Sequence, residues 1–313
     1  MSAEQKKVVM VVPFLNEQEN IPVLYDRVCK AMEGQPEQFE ILFVNDGSTD
    51  GSPEWIRSKA KEDSRVRMIT FSRNFGHQIA ITAGMDNADG DAVVIMDADL
   101  QDPPEVLPQL LQKWREGNEV VYAVRRSRAG ETWLKKFLAA SFYRVFRFLA
   151  KVNVPMDAGD FRLVDRCVVD ALKEMRELHR FMRGLTCWVG YRQAAVEYDR
   201  AARLAGETKY PIWKSARLAF DAITSFSASP LRWIVGLGLM VCVVALLWVL
   251  YVMVLAITQP QNLEKGWASI IAVMVFLGGV QLLSIGMLGQ YVSRVFEEGK
   301  RRPLYLIREK IGR

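Results

Sequence analysis

Histidine is scarce in this 313-residue chain, and cysteine is nearly so. His77 and His179 are its only histidines, and neither has a metal-ligand partner at useful spacing. No metal role falls to them, and His77 reads first as a helix-start residue within reach of a diphosphate. Cys29, Cys167, Cys187 and Cys242 form no Cys-x-x-Cys pair. They read as reduced thiols packed as small hydrophobes in a reducing compartment. The chain has no Gly-x-Gly-x-x-Gly and no phosphate-loop lysine motif, so neither a dinucleotide site nor a phosphate-loop NTPase is supported. No recognition helix, zinc finger or RNA-binding signature accompanies the formal charge of +5, which argues against a nucleic-acid partner. There is no internal repeat. Met1–Lys7 is polar and leads straight into an apolar run, which reads against a signal peptide.

Charge itself is missing from two long stretches. Trp233–Ile257 holds none over 25 residues, and Gly266–Ser293 none over 28. At about 1.5 Å per residue, either is long enough as a helix to cross a hydrocarbon core of about 30 Å. Arg232 precedes the pair, and Arg294, Lys300, Arg301 and Arg302 follow it. The positive-inside rule then places both termini in the cytoplasm, with the preceding domain held at the membrane surface. Gly278, Gly279, Gly286 and Gly289 would let helices approach closely, which leaves homo-oligomerisation open.

Up to about Arg232 the chain reads as a soluble α/β domain. Apolar runs at Lys7–Pro13, Phe39–Asn45, Val66–Phe71, Ala92–Met96 and Glu119–Val124 alternate with segments of helical spacing. That alternation predicts βαβ units and a mainly parallel sheet, with the first four post-strand loops on one rim. Gln193–Tyr198 is a further predicted strand. Asp157–Leu163 reads as a glycine-containing loop with two acids. Glu131–Lys151 and Lys209–Ser229 read as basic amphipathic helices, suited to lie on anionic lipid or to pack on the domain.

The chemistry concentrates where Val93–Met96 runs into Asp97-Ala98-Asp99-Leu100-Gln101-Asp102-Pro103-Pro104. In open α/β sheets, ligands sit outside the carboxyl ends of strands. Asp97, Asp99 and Gln101 supply hard oxygen donors suited to Mg²⁺ or Mn²⁺ bridging a diphosphate. Acids capping the following helix are the other reading. The other loops on this rim are polar too. Glu17 could accept from a ribose or base, Asp46 from a base N–H, and Arg73 could offset diphosphate charge. Turn and capping chemistry accounts for Ser48, Thr49 and Asp50 unaided.

With VVPFLNE, VNDGSTDGS, FSRNFGHQIAITAG, DADLQDPPE, GDFRLVDR and a two-span tail ending near RRPLYL, the chain resembles the polyprenyl-phosphate glycosyltransferases of glycosyltransferase family 2. These are relatives of dolichol-phosphate mannose synthase. The nearest resemblance is to the bactoprenol glucosyltransferase branch, and it runs essentially end to end. It implies a GT-A catalytic domain over 1–208, an interfacial helix over 209–231, a transmembrane hairpin over 232–293 and a basic tail over 294–313. It implies a divalent metal at Asp97, Asp99 and Gln101, bridging a nucleotide diphosphate-sugar. Nucleotide-sugar contacts are implied at Pro13, Leu15, Glu17, Val44, Asp46, Ala98 and Asp99, with Leu15 standing where some relatives carry an aromatic residue. Arg125, Arg203 and Lys209 match phosphate-binding residues.

The implied reaction moves a hexose, glucose as the branch suggests, from a UDP-sugar to undecaprenyl phosphate at the inner face of a bacterial cytoplasmic membrane. One displacement implies inversion. Donor diphosphate and acceptor phosphate repel, so the site needs surplus positive charge, available at Arg125, Arg128, Arg203 and Lys209. Asp160 is a candidate to position the acceptor phosphate or take its last proton; holding Arg162 or a nearby turn is the alternative. Galactose, mannose, an N-acetylhexosamine or formamido-arabinose remain open as donors. A processive synthase is disfavoured by the missing Gln-x-x-Arg-Trp. A non-catalytic binding partner is the remaining class.

Overall fold

The computed structural model describes residues 5–126, 158–178, 180–199, 229–258 and 266–312. Arg128, Arg203, Lys209, both amphipathic-helix predictions and His179 lie outside these residues. The chain divides into two compact units, Met1–Ser215 with Pro303–Arg313, and Ala216–Arg302.

The first unit is built on an eight-stranded sheet. Its strands are β1 (Lys7–Phe14), β2 (Gln38–Asn45), β3 (Val66–Phe71), β4 (Ala92–Ile95), β5 (Val120–Arg125), β6 (Ala158–Asp165), β7 (Gln193–Tyr198) and β8 (Ile307–Ile311). The order is β7-β5-β6-β4-β1-β2-β3-β8. The run β4-β1-β2-β3 is parallel throughout. Val8 to Val12 are fully buried because helices cover both faces of the sheet, which is why these strands are apolar without alternation. On one face Val8, Met10 and Val12 pack with α1 (Asn20–Met32), α2 (Ser52–Glu62) and α4 (Leu107–Arg115), through Leu24, Val28, Ile56, Leu110 and Trp114. On the other, α3 (His77–Asn87) lies against β1 and β2. At Gly84 it comes so close that a Cβ would sit 2.1 Å from Val11 Cγ1. Two shorter helices, α5 (Arg166–Glu174) and α6 (Met182–Trp188), are also among the described residues of this unit.

Six of the eight strands run one way, as expected, but the sheet is mixed, because β6 runs antiparallel to both β4 and β5, and β8 antiparallel to β3. Two expectations need correction. The predicted loop at Asp157–Leu163 is largely strand β6, with Phe161 and Leu163 fully buried. A buried arginine, Arg162, and the Gly159-Asp160 pair break up its apolar run, so its sequence resembles a turn. The tail also contains more than basic residues: Ile307–Ile311 pairs with β3 and closes the sheet edge.

The second unit holds α7 (Ser229–Thr258) and α8 (Trp267–Gly299), helices of 30 and 33 residues over the two charge-free stretches. Some side chains within them lie outside the described set. Taken over the described residues alone, no helix is long and apolar enough to cross a membrane.

Candidate active site

Parallel pairing brings the loops after β1, β2, β3 and β4 to one rim, and the register of β6 adds a fifth contributor. Ile95 pairs with Arg162. Two residues further along each strand, Asp97 and Asp160 come to the same place. The parallel pairing of β5 with β7 sets Arg125 opposite Tyr198 at the same rim.

His77, the first residue of α3, joins the two acids. Its Nε2 lies 3.4 Å from Asp97 Oδ1 and 3.5 Å from Asp160 Oδ2. Burial alone would lower its pKa, but Asp160 and Asp97 outweigh that and raise it. Arg183 Nε donates to Asp160 Oδ1 at 2.8 Å, and Gln78 Nε2 reaches Oδ2 at 3.4 Å. Burial would raise the Asp160 carboxyl, yet Arg183, His77 and Arg162 together hold it well below the usual carboxylate range. Asp160 is therefore a fixed carboxylate, engaged by Arg183 and held ionised by its neighbours. Arg162 does not pair with that carboxylate. Its guanidinium is buried and donates to the carbonyls of Gly159 and Asp160 and to Thr186 Oγ1.

Asp97 differs from Asp160. Burial pushes its carboxyl up to about 6, with Asp160, Asp102 and Asp99 adding to the shift and His77 opposing it. Its buried Oδ1 accepts no hydrogen bond among the described residues. Next to it, Asp99 Oδ1 accepts from the Gln101 amide at 3.1 Å, and Leu100 between them adopts φ +59°. A buried leucine in that region is strained, and such strain gathers at functional loops. No three His, Cys, Asp or Glu side chains among the described residues converge on a single metal position. An unsatisfied carboxylate oxygen with a second acid and an amide nearby fits a cation that draws its other ligands from a bound diphosphate and water.

Asp102 was not among the expected site residues, yet it anchors a second cluster. It is buried, accepts from the Tyr198 hydroxyl, and lies 3.5 Å from Arg125 Nη2. Arg125 Nε also donates to the Tyr198 hydroxyl at 3.1 Å. Arg125 thus sits at the rim already oriented. Gln78, Arg183 and Tyr198 carry no spacing signal that would have singled them out as site residues, whereas His77 was expected at a helix start within reach of a diphosphate and Arg162 as a possible partner of Asp160.

On the opposite side of the rim, Asp46 is buried and accepts from the amides of Phe75 at 2.7 Å and Gly76 at 3.0 Å. Burial raises its carboxyl, and those two amides oppose the shift. Gly47 takes φ +87°, and a Cβ there would lie 3.0 Å from the Asn74 amide, so these two loops require glycine to meet. Glu17 Oε2 accepts from Asn20 Nδ2 at 2.6 Å. Arg73 stacks its guanidinium 4.0 Å over the Phe75 ring. Pro13 and Val44 are register partners within the sheet and are buried, as is Ala98; Leu15 is 43% exposed. Ser48, Thr49 and Asp50 tie the first two loops together through Asn16 and Gln18, as turn chemistry predicts.

The pairing pattern fixes an acid response. Arg65 holds Asp63 well below its ordinary range, and Asp160 is held low as described above. A carboxylate depressed in the fold contributes stability that is present above its unfolded pKa of about 4 and is lost as pH falls through the folded value. Asp97 has the opposite sign, so the stability it withholds at neutral pH returns as pH falls through about 6. The melting temperature should rise slightly or hold from pH 7 to 5 and then drop below about pH 4. Calorimetry across that range checks this, and a flat profile down to pH 3 would show that the pairs contribute nothing.

Residues 9–172 match the glycosyl transferase family 2 model, and residues 229–295 match the GtrB C-terminal hairpin. The chain is 47% identical to the uncharacterized glycosyltransferase YkcC of Bacillus subtilis (strain 168), over 97% of this chain and 94% of that one. It is 41% identical to the bactoprenol glucosyl transferase of Shigella phage SfV, over 97% of this chain and 99% of that one. The crystal structure of mannosyl-3-phosphoglycerate synthase from Rubrobacter xylanophilus aligns over 73% of this chain and 74% of its own, at 19% identity and a TM-score of 0.49. The chain therefore belongs to glycosyl transferase family 2, in the branch that carries the GtrB hairpin and includes the bactoprenol glucosyl transferases.

Proposed function

We propose that this chain transfers glucose from UDP-glucose to undecaprenyl phosphate, with inversion, on the cytoplasmic face of a bacterial inner membrane. The observation that carries the reading is the rim itself. An unsatisfied Asp97 carboxylate sits beside Asp99, with anion-binding groups on either side and near full-length likeness to bactoprenol glucosyl transferases. Asp97, Asp99 and Gln101 would hold a divalent cation, Mg²⁺ or Mn²⁺, which when bound offsets charge on the departing diphosphate. Asp46 and the loops at Glu17 and Arg73 would seat the nucleotide. Arg125, preset by Asp102 and Tyr198, would face phosphate charge.

The acceptor is a phosphate monoester with a second pKa of about 6, already mostly dianionic near neutral pH. Its oxygen attacks the anomeric carbon as the bond to UDP breaks, and no strong base is required. That agrees with Asp160 being committed to Arg183. An α-linked donor then yields a β-linked lipid phosphate sugar.

Two observations support the membrane reading. Apolar side chains on α7 and α8 face outward, with Val235 and Leu239 69% exposed and Leu282 73%, a surface that water does not favour. The chain also leaves the catalytic unit before α7 and rejoins its sheet at β8. Any crossing by α7 must therefore be reversed by α8, which supports a hairpin with both ends on one side.

Transfer of label from UDP-glucose to undecaprenyl phosphate, by purified protein in detergent with and without Mg²⁺ or Mn²⁺, tests this. Metal-dependent label in the lipid fraction is expected. Label only from another donor would correct the sugar, and none from any nucleotide-sugar would overturn the enzyme reading in favour of a binding role.

A further inference from the structure

The C-terminal tail reaches the donor side of the sheet through contacts that its sequence does not advertise. After α8 the chain passes Pro303 and lays Tyr305 against Phe71, the last residue of β3, with ring centroids 5.4 Å apart and planes 23° from parallel. Phe71 in turn meets Phe75 edge-on at 5.5 Å. Phe75 is the residue whose amide donates to Asp46 at 2.7 Å. Three aromatic rings thus run from the tail to the loop that fixes Asp46. The Ser72 amide, where that loop begins, donates to the Leu306 carbonyl at 3.0 Å. The Tyr305 hydroxyl is itself anchored, 2.9 Å from Asp86 Oδ2 and 3.4 Å from Asn87 Nδ2, at the far end of the helix that His77 begins. Lys310 Nζ adds a bond to Asn87 Oδ1, and Arg57 pairs with Glu309 at 2.8 Å.

The geometry points to Tyr305 as a positioning residue for the nucleotide diphosphate: the returning tail sets the Ser72–Gly76 loop, and through it Asp46 and the affinity for the donor. This rests on the reading of Asp46 and Arg73 as the nucleotide wall. Gly76 adopts φ +100°, a conformation with little intrinsic preference for one geometry, so the loop depends on outside contacts to hold its two amides on Asp46. The tail supplies them on one flank. A donor site completed by the segment that follows the hairpin is built only when the whole chain is in place.

UDP affinity of the full-length protein in detergent, measured by calorimetry with Mg²⁺ present, tests this in Tyr305→Ala, Tyr305→Leu and Tyr305→Phe. Tyr305→Ala and Tyr305→Leu should weaken UDP binding about tenfold, the scale of one lost aromatic pair. Tyr305→Phe keeps the stack, loses the hydroxyl contacts and should recover most of the affinity. Donor KM should follow, while kcat changes by less than about threefold, since no group at the reacting atoms moves. Lys310→Ala, on the tail but outside the ring series, should bind UDP as the natural protein does. If Tyr305→Ala does not fold, Tyr305→Leu carries the comparison. Unchanged UDP affinity in a folded Tyr305→Leu protein, with only the melting temperature lowered, would overturn the coupling and leave the tail a structural edge. If the natural protein binds neither UDP nor GDP, the donor-site reading itself fails and the coupling with it.

Discussion

Asp97→Asn should reduce transfer by about 10³-fold while leaving the fold as stable as before, or more so. The loss follows from the carboxylate's position. Its Oδ1 is buried without a hydrogen bond, and the one cationic group described beside it is His77, at 3.4 Å. The neighbouring acids Asp160, Asp102 and Asp99 all add to the cost of its charge. A carboxyl whose folded pKa lies near 6 withholds stability at pH 7.5, because the fold favours its neutral form. Its side chain is about a third exposed, so water screens part of that cost and about 1 kcal/mol remains. Asparagine removes the charge and keeps the shape. The melting temperature should therefore hold or rise by about 2–4 °C in a domain of this size. Steady-state transfer and thermal unfolding on the same preparation decide it. Retained transfer would remove Asp97 from the site, and a fall of several degrees would make its role structural.

Most of the parallel core could be read from sequence because β1, β4 and the second half of β2 are apolar runs buried on both faces. Val66–Phe71 and Gln193–Tyr198 appear at their expected bounds. The acidic loop was legible in its place, at the carboxyl end of a buried strand, while Asp-x-Asp alone reads equally well as helix capping. β6 was not. Arg162 sits at a fully buried position, satisfied by two carbonyls and a hydroxyl that come from tertiary contact rather than from neighbours in sequence. No periodicity rule anticipates a charged residue in a central strand. The groups that complete the site were hidden by the same distance. His77 reaches Asp97 from 20 positions away, and Arg183 reaches Asp160 from 23. The antiparallel run of β6 is what carries Asp160 and its partner Arg183 to that rim, and antiparallel direction is not written in composition. The tail shows the complementary case. Its Ile-x-x-x-Ile spacing is too short to separate an edge strand from a basic linker, and only the open edge of β3 gives it a place to pair.

Arg162→Ala and Arg183→Ala should fail in different ways, though both residues lie beside Asp160. The Arg162 guanidinium is completely enclosed, with burial lowering its pKa and Asp160 opposing that. Removing it strips donors from the Gly159 and Asp160 carbonyls and leaves the buried Asp160 carboxylate with less compensating charge. Deleting one partner of a buried charge cluster costs about 3–5 kcal/mol, which should lower the melting temperature by about 10 °C. Arg162→Lys should recover little, since an ammonium cannot reproduce a fork aimed at three acceptors. Arg183 is 29% exposed, so water can replace part of what its loss removes from Asp160. Its deletion should cost only about 1 kcal/mol. Transfer should nevertheless fall by about 10²-fold, because Asp160 then loses the bidentate grip that fixes it against His77 at the rim. The double variant Arg183→Ala/Asp160→Asn should be no less active than the worse single variant, as expected for residues acting through one contact. Additive losses would place Arg183 on the substrate directly, and equal destabilisation by the two alanine substitutions would show that both arginines serve only the fold.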